Sequence, residues 1–296
     1  MTDQTPEPAL PRADDAMTPI LTVERIEDNF FRGRETPNGK GRMFGGQVLG
    51  QALMAAANTV EGDRLNHSLH AYFMRPGDAT LPVLYRVERD MDGRSFNTRR
   101  VIAIQNGQPI LNLAASFQVQ EEGFSHTDPF PENIPEPEDL LNEHQLAEKY
   151  SDQVPGMLAR FLEWDRPVEI RPCSLIPPYD MTPPEGETYR WIRANAPMPD
   201  DQALHRAAMV YTSDMGLIGA ALAKHEVGFF TEGMRVASLD HATWIHGDLR
   251  MDDWLLYCMD SPWSGGGRGL TGGRVFTRDG RLVATIAQEG MIRRKL

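Results

Sequence analysis

The sequence predicts an α+β chain made of two tandem copies of one module, in each of which an antiparallel sheet wraps round a central helix. Three observations carry this expectation. SLHAYFMRPGD from Ser68 and SLDHATWIHGD from Ser238 share a Ser-Leu start and a Gly-Asp end at a constant offset of 170. A small-residue helix candidate precedes each, GGQVLGQALMAAANTV in the first half and SDMGLIGAALAKH in the second. Asn106-Gly107 and Asp279-Gly280 each sit between paired apolar runs, the strongest short-range hairpin signal a sequence offers.

Taken in order, residues 1–18 combine Pro, Asp and Glu with little apolar periodicity and read as a loose tail. Residues 19–125 form the first module. Its helix candidate carries Gly45, Gly46 and Gly50, which let a helix approach a sheet closely. Short alternating runs such as Leu84–Val87 and Val101–Ile104 have the period of half-buried strands. Residues 126–185 read as a proline-rich linker: 11 of the 22 prolines lie between Pro129 and Pro184. One helix is expected there, roughly Glu138 to Trp164, with a break near Pro155. Residues 186–296 repeat the parts of the first module. Gly216 and Gly219 lie in the second helix candidate and Trp254–Cys258 is a strand. The offset rises to 173 after Asp260, because SPWSGGGR is three residues longer than MDGR.

Composition bounds the function. Hydrophobic residues make up 41% of the 296 residues, enough for a sizeable core. The net charge of −12 argues against general nucleic-acid binding, which needs a basic surface. No apolar run is long enough to span a bilayer and the N-terminus lacks a signal-peptide layout, so no membrane partner and a cytoplasmic location are expected. Cys173 and Cys258 lack metal-ligand spacing and read as free buried thiols.

Motif by motif, the chain resembles the type II acyl-CoA thioesterase family. The carriers are FRG at Phe31, FGGQVLGQAL at Phe44, HSLHAYFMRPGD at His67, IQNGQPI at Ile104, WIRAN at Trp191, YTSDMG at Tyr211, SLDHATWIH at Ser238, DDWLLY at Asp252 and AQEGMIR at Ala287. The resemblance implies a double hotdog fold, hydrolysis of fatty acyl-CoA to free acid and coenzyme A, no metal or other cofactor, and a homo-oligomer, dimer or tetramer. It also implies that a carboxylate, a hydroxyl and an amide hold the attacking water, and these fall on Asp214, Ser238 and Gln288.

The residues support that trio in their own right. Asp214 precedes a run of small residues, where a helix N-cap or first turn is expected. In the first module its position falls on Gly45 or Gly46, Gln288 aligns with Ala115, and Ser238 with Ser68. A cap needed for folding belongs in both copies; a catalytic set can persist in one. Gln288 lies in an apolar strand-like run, where its amide needs a partner.

Competing motifs are weaker. Asp240 and His241 are adjacent on a strand and point to opposite faces, which favours a structural role for His241. Gly267–Gly272 matches G-x-G-x-x-G, yet a strand and not a helix follows. Arginine outnumbers lysine 26 to 4, which suits phosphate contacts but equally reflects composition, so Arg94, Arg99 and Arg268 are not assigned a role. The acyl chain is expected in an apolar slot between the two halves. A hotdog hydratase or dehydratase and a non-catalytic acyl-CoA binding protein are the alternatives.

Overall fold

The computed structural model describes residues 17–152, 166–180 and 182–295. Residues 1–16 of the expected tail lie outside the described residues. Its last two, Met17 and Thr18, instead begin helix α1 (Met17–Leu21), which buries Met17, Ile20 and Leu21.

In the first half follow β1 (Val23–Glu27), β2 (Phe30–Gly33), α2 (Gly45–Ala57), β3 (Leu65–Phe73), β4 (Val83–Asp92), β5 (Phe96–Gln105) and β6 (Gln108–Gln118). Within 126–185 lie a 3-10 turn at Pro137–Asp139, α3 (Glu143–Lys149) and β7 (Val168–Pro172). Asn142 and Gln145 form a capping box that starts α3, and the helix stops at Tyr150. The expected helix to Trp164 is therefore shorter where it is described; 153–165, with Pro155, lie outside the described residues. The second half continues with β8 (Thr188–Ala194), α4 (Gln202–Ser213), α5 (Gly219–Ala223), β9 (Met234–Ser238), β10 (Asp240–Ile245), β11 (Leu255–Gly265), β12 (Arg268–Thr277) and β13 (Leu282–Arg294).

The strands join in one antiparallel sheet whose order is symmetric about its middle. Outward from the centre it runs β3-β6-β5-β4-β2-β1 on one side and β10-β13-β12-β11-β8-β7 on the other, with β9 also paired to β13. This is the double hotdog. Strands β9 and β10 together correspond to β3, interrupted at Leu239. Strands β3 and β10 pair directly, and Ala71 faces His241. These two positions are themselves related by the offset of 170, so a pseudo-two-fold axis passes between them.

Hairpins fall where the turn residues put them. Asn106 and Gly107 take φ of 49° and 71° between β5 and β6, and Gly280 takes 89° between β12 and β13. Gly267–Gly272 runs into β12, with no helix after it.

The long helix of the second half is α4, begun by Asp201, whose side chain accepts from Ala203 N–H, and not the segment after Asp214. Gly216 at φ +68° breaks the backbone before the short α5. In the first half, Gly46 and Gly50 of α2 serve a helix contact: a side chain at Gly46 would strike the Tyr211 carbonyl, and one at Gly50 would meet Leu21 and, at 3.1 Å, the Ala207 carbonyl, while Gly45 does face the sheet at Phe73. Helices α2 and α4 thus pack backbone to backbone inside the curved sheet. Both are buried on nearly every side, and one apolar core holds Leu49, Leu53 and Leu113 together with Val210, Tyr257 and Ile286. Gln51, buried in α2, is satisfied by the carbonyls of Ile20 at 2.7 Å and Arg34 at 3.1 Å.

Candidate active site

Asp214, Ser238 and Gln288 come together although 74 residues separate the first from the last. Asp214 is the C-cap of α4, Ser238 ends β9, and Gln288 lies in β13. The Gln288 amide donates to Asp214 Oδ1 at 2.6 Å and to Ser238 Oγ at 2.9 Å, and the Ser238 hydroxyl donates to Asp214 Oδ1 at 3.2 Å. One carboxylate oxygen is therefore clamped by two neutral donors. The expectation that Asp214 starts a helix is wrong for its own helix, which it ends. Its carboxylate nevertheless faces the start of another: an added Cβ at Gly45, the first residue of α2, would lie 2.7 Å from Asp214 Oδ2. Only glycine admits the carboxylate there. The α2 N-terminus has no side-chain cap.

A cavity of about 860 Å³ opens beside these groups. Phe44, Gly45 and Met43 from the first half line it together with Phe229 and Met259 from the second and Ile176 from the segment between them, so the slot expected between the halves is present. Asp214 and Ser238 reach its surface, while Gln288, 0% exposed, stands behind them.

Three further residues hold this arrangement; Arg190 and Tyr257 are not singled out by the sequence, and His241 is expected there in a structural role. Arg190 of β8 donates to the Met215 carbonyl and lies over the Tyr257 ring, 5.1 Å from its centroid. Tyr257 in turn donates to the Ser213 carbonyl at 2.9 Å. The carbonyls on either side of Asp214 are both anchored by this pair. Burial draws the Arg190 pKa down and pushes the Tyr257 phenol up, so Tyr257 stays a donor.

His241 is the third. Asp240 and His241 do point to opposite faces: Asp240 accepts from Glu289 N–H at 2.7 Å, while His241 turns inward, 1% exposed, onto Ser213 Oγ at 2.8 Å. Its strand pairs with β13 up to Ala242 opposite Ala287, which brings His241 beside Gln288. Burial lowers the imidazole pKa; the nearby Asp214 carboxylate and Gln288 amide act against it. Ring and amide are neighbours without a formed hydrogen bond, for His241 Nδ1 and Gln288 Oε1 are both buried without a partner among the described residues. In the first half the matching positions are Ala71 and Ala115, so ring and amide are absent together.

Other candidates settle into structural roles. Arg99 is buried and holds Thr59 at 2.8 Å, and Arg268 pairs with Glu289 at 2.9 Å. Cys173 and Cys258 are free, with thiol pKa values that burial pushes up to about 12. Among the described residues no cluster of three or more His, Cys, Asp or Glu could hold a metal ion, and no helix is long and apolar enough to cross a membrane.

Comparison with known proteins adds the family. A model described as acyl-CoA thioesterase matches residues 160–291, and one described as acyl-CoA thioesterase N-terminal domain matches 34–118. Acyl-CoA thioesterase 2 of Haemophilus influenzae is 40% identical over 93% of this chain and 96% of its own. Human acyl-coenzyme A thioesterase 8 is 40% identical over 94% and 89%. The crystal structure of acyl-CoA thioesterase II TesB2 from Mycobacterium marinum superposes with a TM-score of 0.74 at 38% identity, covering 94% of this chain and 97% of that one.

Proposed function

Since the chain belongs to the acyl-CoA thioesterase family and is a thioester hydrolase, we propose that Asp214 activates the water that attacks the thioester, with Ser238 and Gln288 fixing the carboxylate. The observation that carries this is the clamp on Oδ1. With Oδ1 occupied, Oδ2, turned toward Gly45, is the oxygen left to accept a proton from a water in the cavity. A thioester carbonyl is electrophilic and a thiolate leaves readily, so no covalent nucleophile is needed. An oriented base contributes about 10²- to 10⁴-fold.

The start of α2 supplies the other half of the chemistry. The first N–H groups of a helix lack intrahelical acceptors and carry partial positive charge. Placed beside Asp214, those of Gly45 and Gly46 are positioned to receive the thioester oxygen as charge develops on it. Water approaches from the Asp214 side, the oxygen turns to the helix, and the acyl chain takes the apolar cavity. The reading extends to fatty acyl-CoA as substrate and to a homo-oligomer in the cytosol; for these its support is the family resemblance.

The test is free-thiol release from acyl-CoA of graded chain length by the wild type, Asp214→Asn, Ser238→Ala and Gln288→Ala. Asp214→Asn is expected to lose at least about 10²-fold in kcat with little change in KM. Turnover near wild type in that variant refutes the mechanism. Substrate consumed without free thiol would instead indicate hydration or dehydration.

A further inference from the structure

Coenzyme A carries its charge on a pyrophosphate and a 3′-phosphate far from the thioester, and a chain of net charge −12 repels it unless a local cationic site intervenes. Strand β9 leads to such a site. Among the described residues it pairs only with β13. Thr231, Val236, Ala237 and Ser238 line the cavity on either side of Arg235. In the register Arg235 stands directly opposite Arg293 and Met234 opposite Arg294, while Lys295 N–H bonds to the Gly233 carbonyl at 2.9 Å.

All four basic side chains are exposed, and none forms an ion pair or side-chain hydrogen bond among the described residues. Like charges directly opposite on paired strands destabilise a sheet. The neighbouring Arg268 shows the ordinary alternative, spent on Glu289 and stacked over Trp263. Gly267, in the turn beside Arg293, carries no side chain where one would approach Arg293 Nε to 3.2 Å. Glu232 is the nearby exposed carboxylate in sequence and pairs with none of the four.

The reach is right. Three residues of strand separate Ser238 from Arg235, about 10 Å at ~3.3 Å per residue, and the odd spacing turns Arg235 to the opposite face, so the arm must pass round the strand to reach it. The pantetheine arm is about as long as an extended four-residue peptide, ~14 Å. We propose that Arg235, Arg293, Arg294 and Lys295 form the subsite for the phosphates of acyl-CoA, with the Arg235–Arg293 pair making the bidentate contacts to which guanidinium is suited. The proposal rests on the acyl-CoA reading of the adjoining site.

Two measurements on the full chain test it. Thiol release is compared for an acyl-CoA and for the acyl-pantetheine with the same acyl group, in the wild type, R235Q/R293Q and R235K/R293K. Calorimetric binding of adenosine 3′,5′-bisphosphate, which needs no turnover, is measured on the same proteins. In R235Q/R293Q the acyl-CoA KM is expected to rise about tenfold or more, with kcat little changed, as two charge-assisted contacts are lost. The pantetheine thioester should be unaffected, bisphosphate binding should weaken in parallel, and the Lys pair should keep most of both. An unchanged acyl-CoA KM, an equal rise for both thioesters, or bisphosphate binding as tight as wild type overturns the subsite. If the wild type released thiol from neither substrate, the hydrolytic reading would fall, while the calorimetry would still decide the subsite.

Discussion

His241→Leu is the substitution that probes the site most sharply, because His241 stands beside Gln288 in the strand register. The register puts the ring beside the Gln288 amide, and His241 Nδ1 and Gln288 Oε1 are both buried with no hydrogen-bond partner among the described residues. The substitution takes away the ring that confines the amide, so the amide can turn its donors from Asp214 and Ser238; a buried polar group left unsatisfied there costs about 1–3 kcal/mol. At 1.36 kcal/mol per factor of ten, kcat is expected to fall by roughly 5- to 150-fold, with KM for acyl-CoA little moved. A structural role alone would also lower activity, so the double-mutant cycle decides. In a Gln288→Ala background the amide is gone, and His241→Leu should then cost almost nothing further. His241→Asn, which retains a side-chain N–H, should recover part of the loss in the wild-type background and none in the Gln288→Ala background. The assays are kcat and KM by thiol release and the thermal midpoint of all variants. If the two substitutions are additive in kcat, His241 does not act through Gln288 and the reasoning fails.

Gly45→Ala places a Cβ 2.7 Å from Asp214 Oδ2 and 2.8 Å from the Phe73 ring; overpacking of about 1–3 kcal/mol should appear as a roughly 5- to 150-fold loss of kcat, and near-normal turnover would show that the carboxylate moves aside harmlessly. Arg190→Met releases the Met215 carbonyl and is expected to lower kcat by roughly tenfold or more, one charge-assisted hydrogen bond, with partial recovery in Arg190→Lys. Burial holds His67, His205, His241 and His246 below the ordinary imidazole value. Each is neutral in the folded chain at a pH where the unfolded chain binds a proton, so their contribution to stability is full above about pH 6.5 and shrinks as pH falls through it toward their folded values. Thermal midpoints measured between about pH 8 and pH 5 should fall by several degrees, given ~2–4 °C per kcal/mol for a chain of this size; a flat profile removes the histidines as the cause.

The repeat and its hairpins were legible because Asn-Gly and Asp-Gly turns and the paired Ser-Leu motifs are local. Helix α4 was not. It is buried on nearly every side, yet carries Gln202, His205, Arg206, Thr212 and Ser213, so neither an apolar stripe nor a small-residue run announces it, and the run after Asp214 drew the assignment instead. Asp214, Ser238 and Gln288 could be picked out because they sit in distinctive motifs. Arg190 and Tyr257 could not, nor could the bearing of His241 on the site, for each acts across strands on residues 25 to 47 positions away in sequence. The glycines of α2 were noticed, but which surface they admit depends on the helix packed against them.

Ala71 and His241 meet on the axis that relates the two halves. In a dimer of identical modules a residue on that axis confronts its own twin, so whatever it gains in size it must also accommodate. Two imidazoles would compete for one space, and two methyl groups would give the amide no neighbour. Joining the modules in one polypeptide lifts that constraint. A bulky residue can occupy one place because a small one yields to it, and the lost symmetry becomes the means of building an asymmetric pocket.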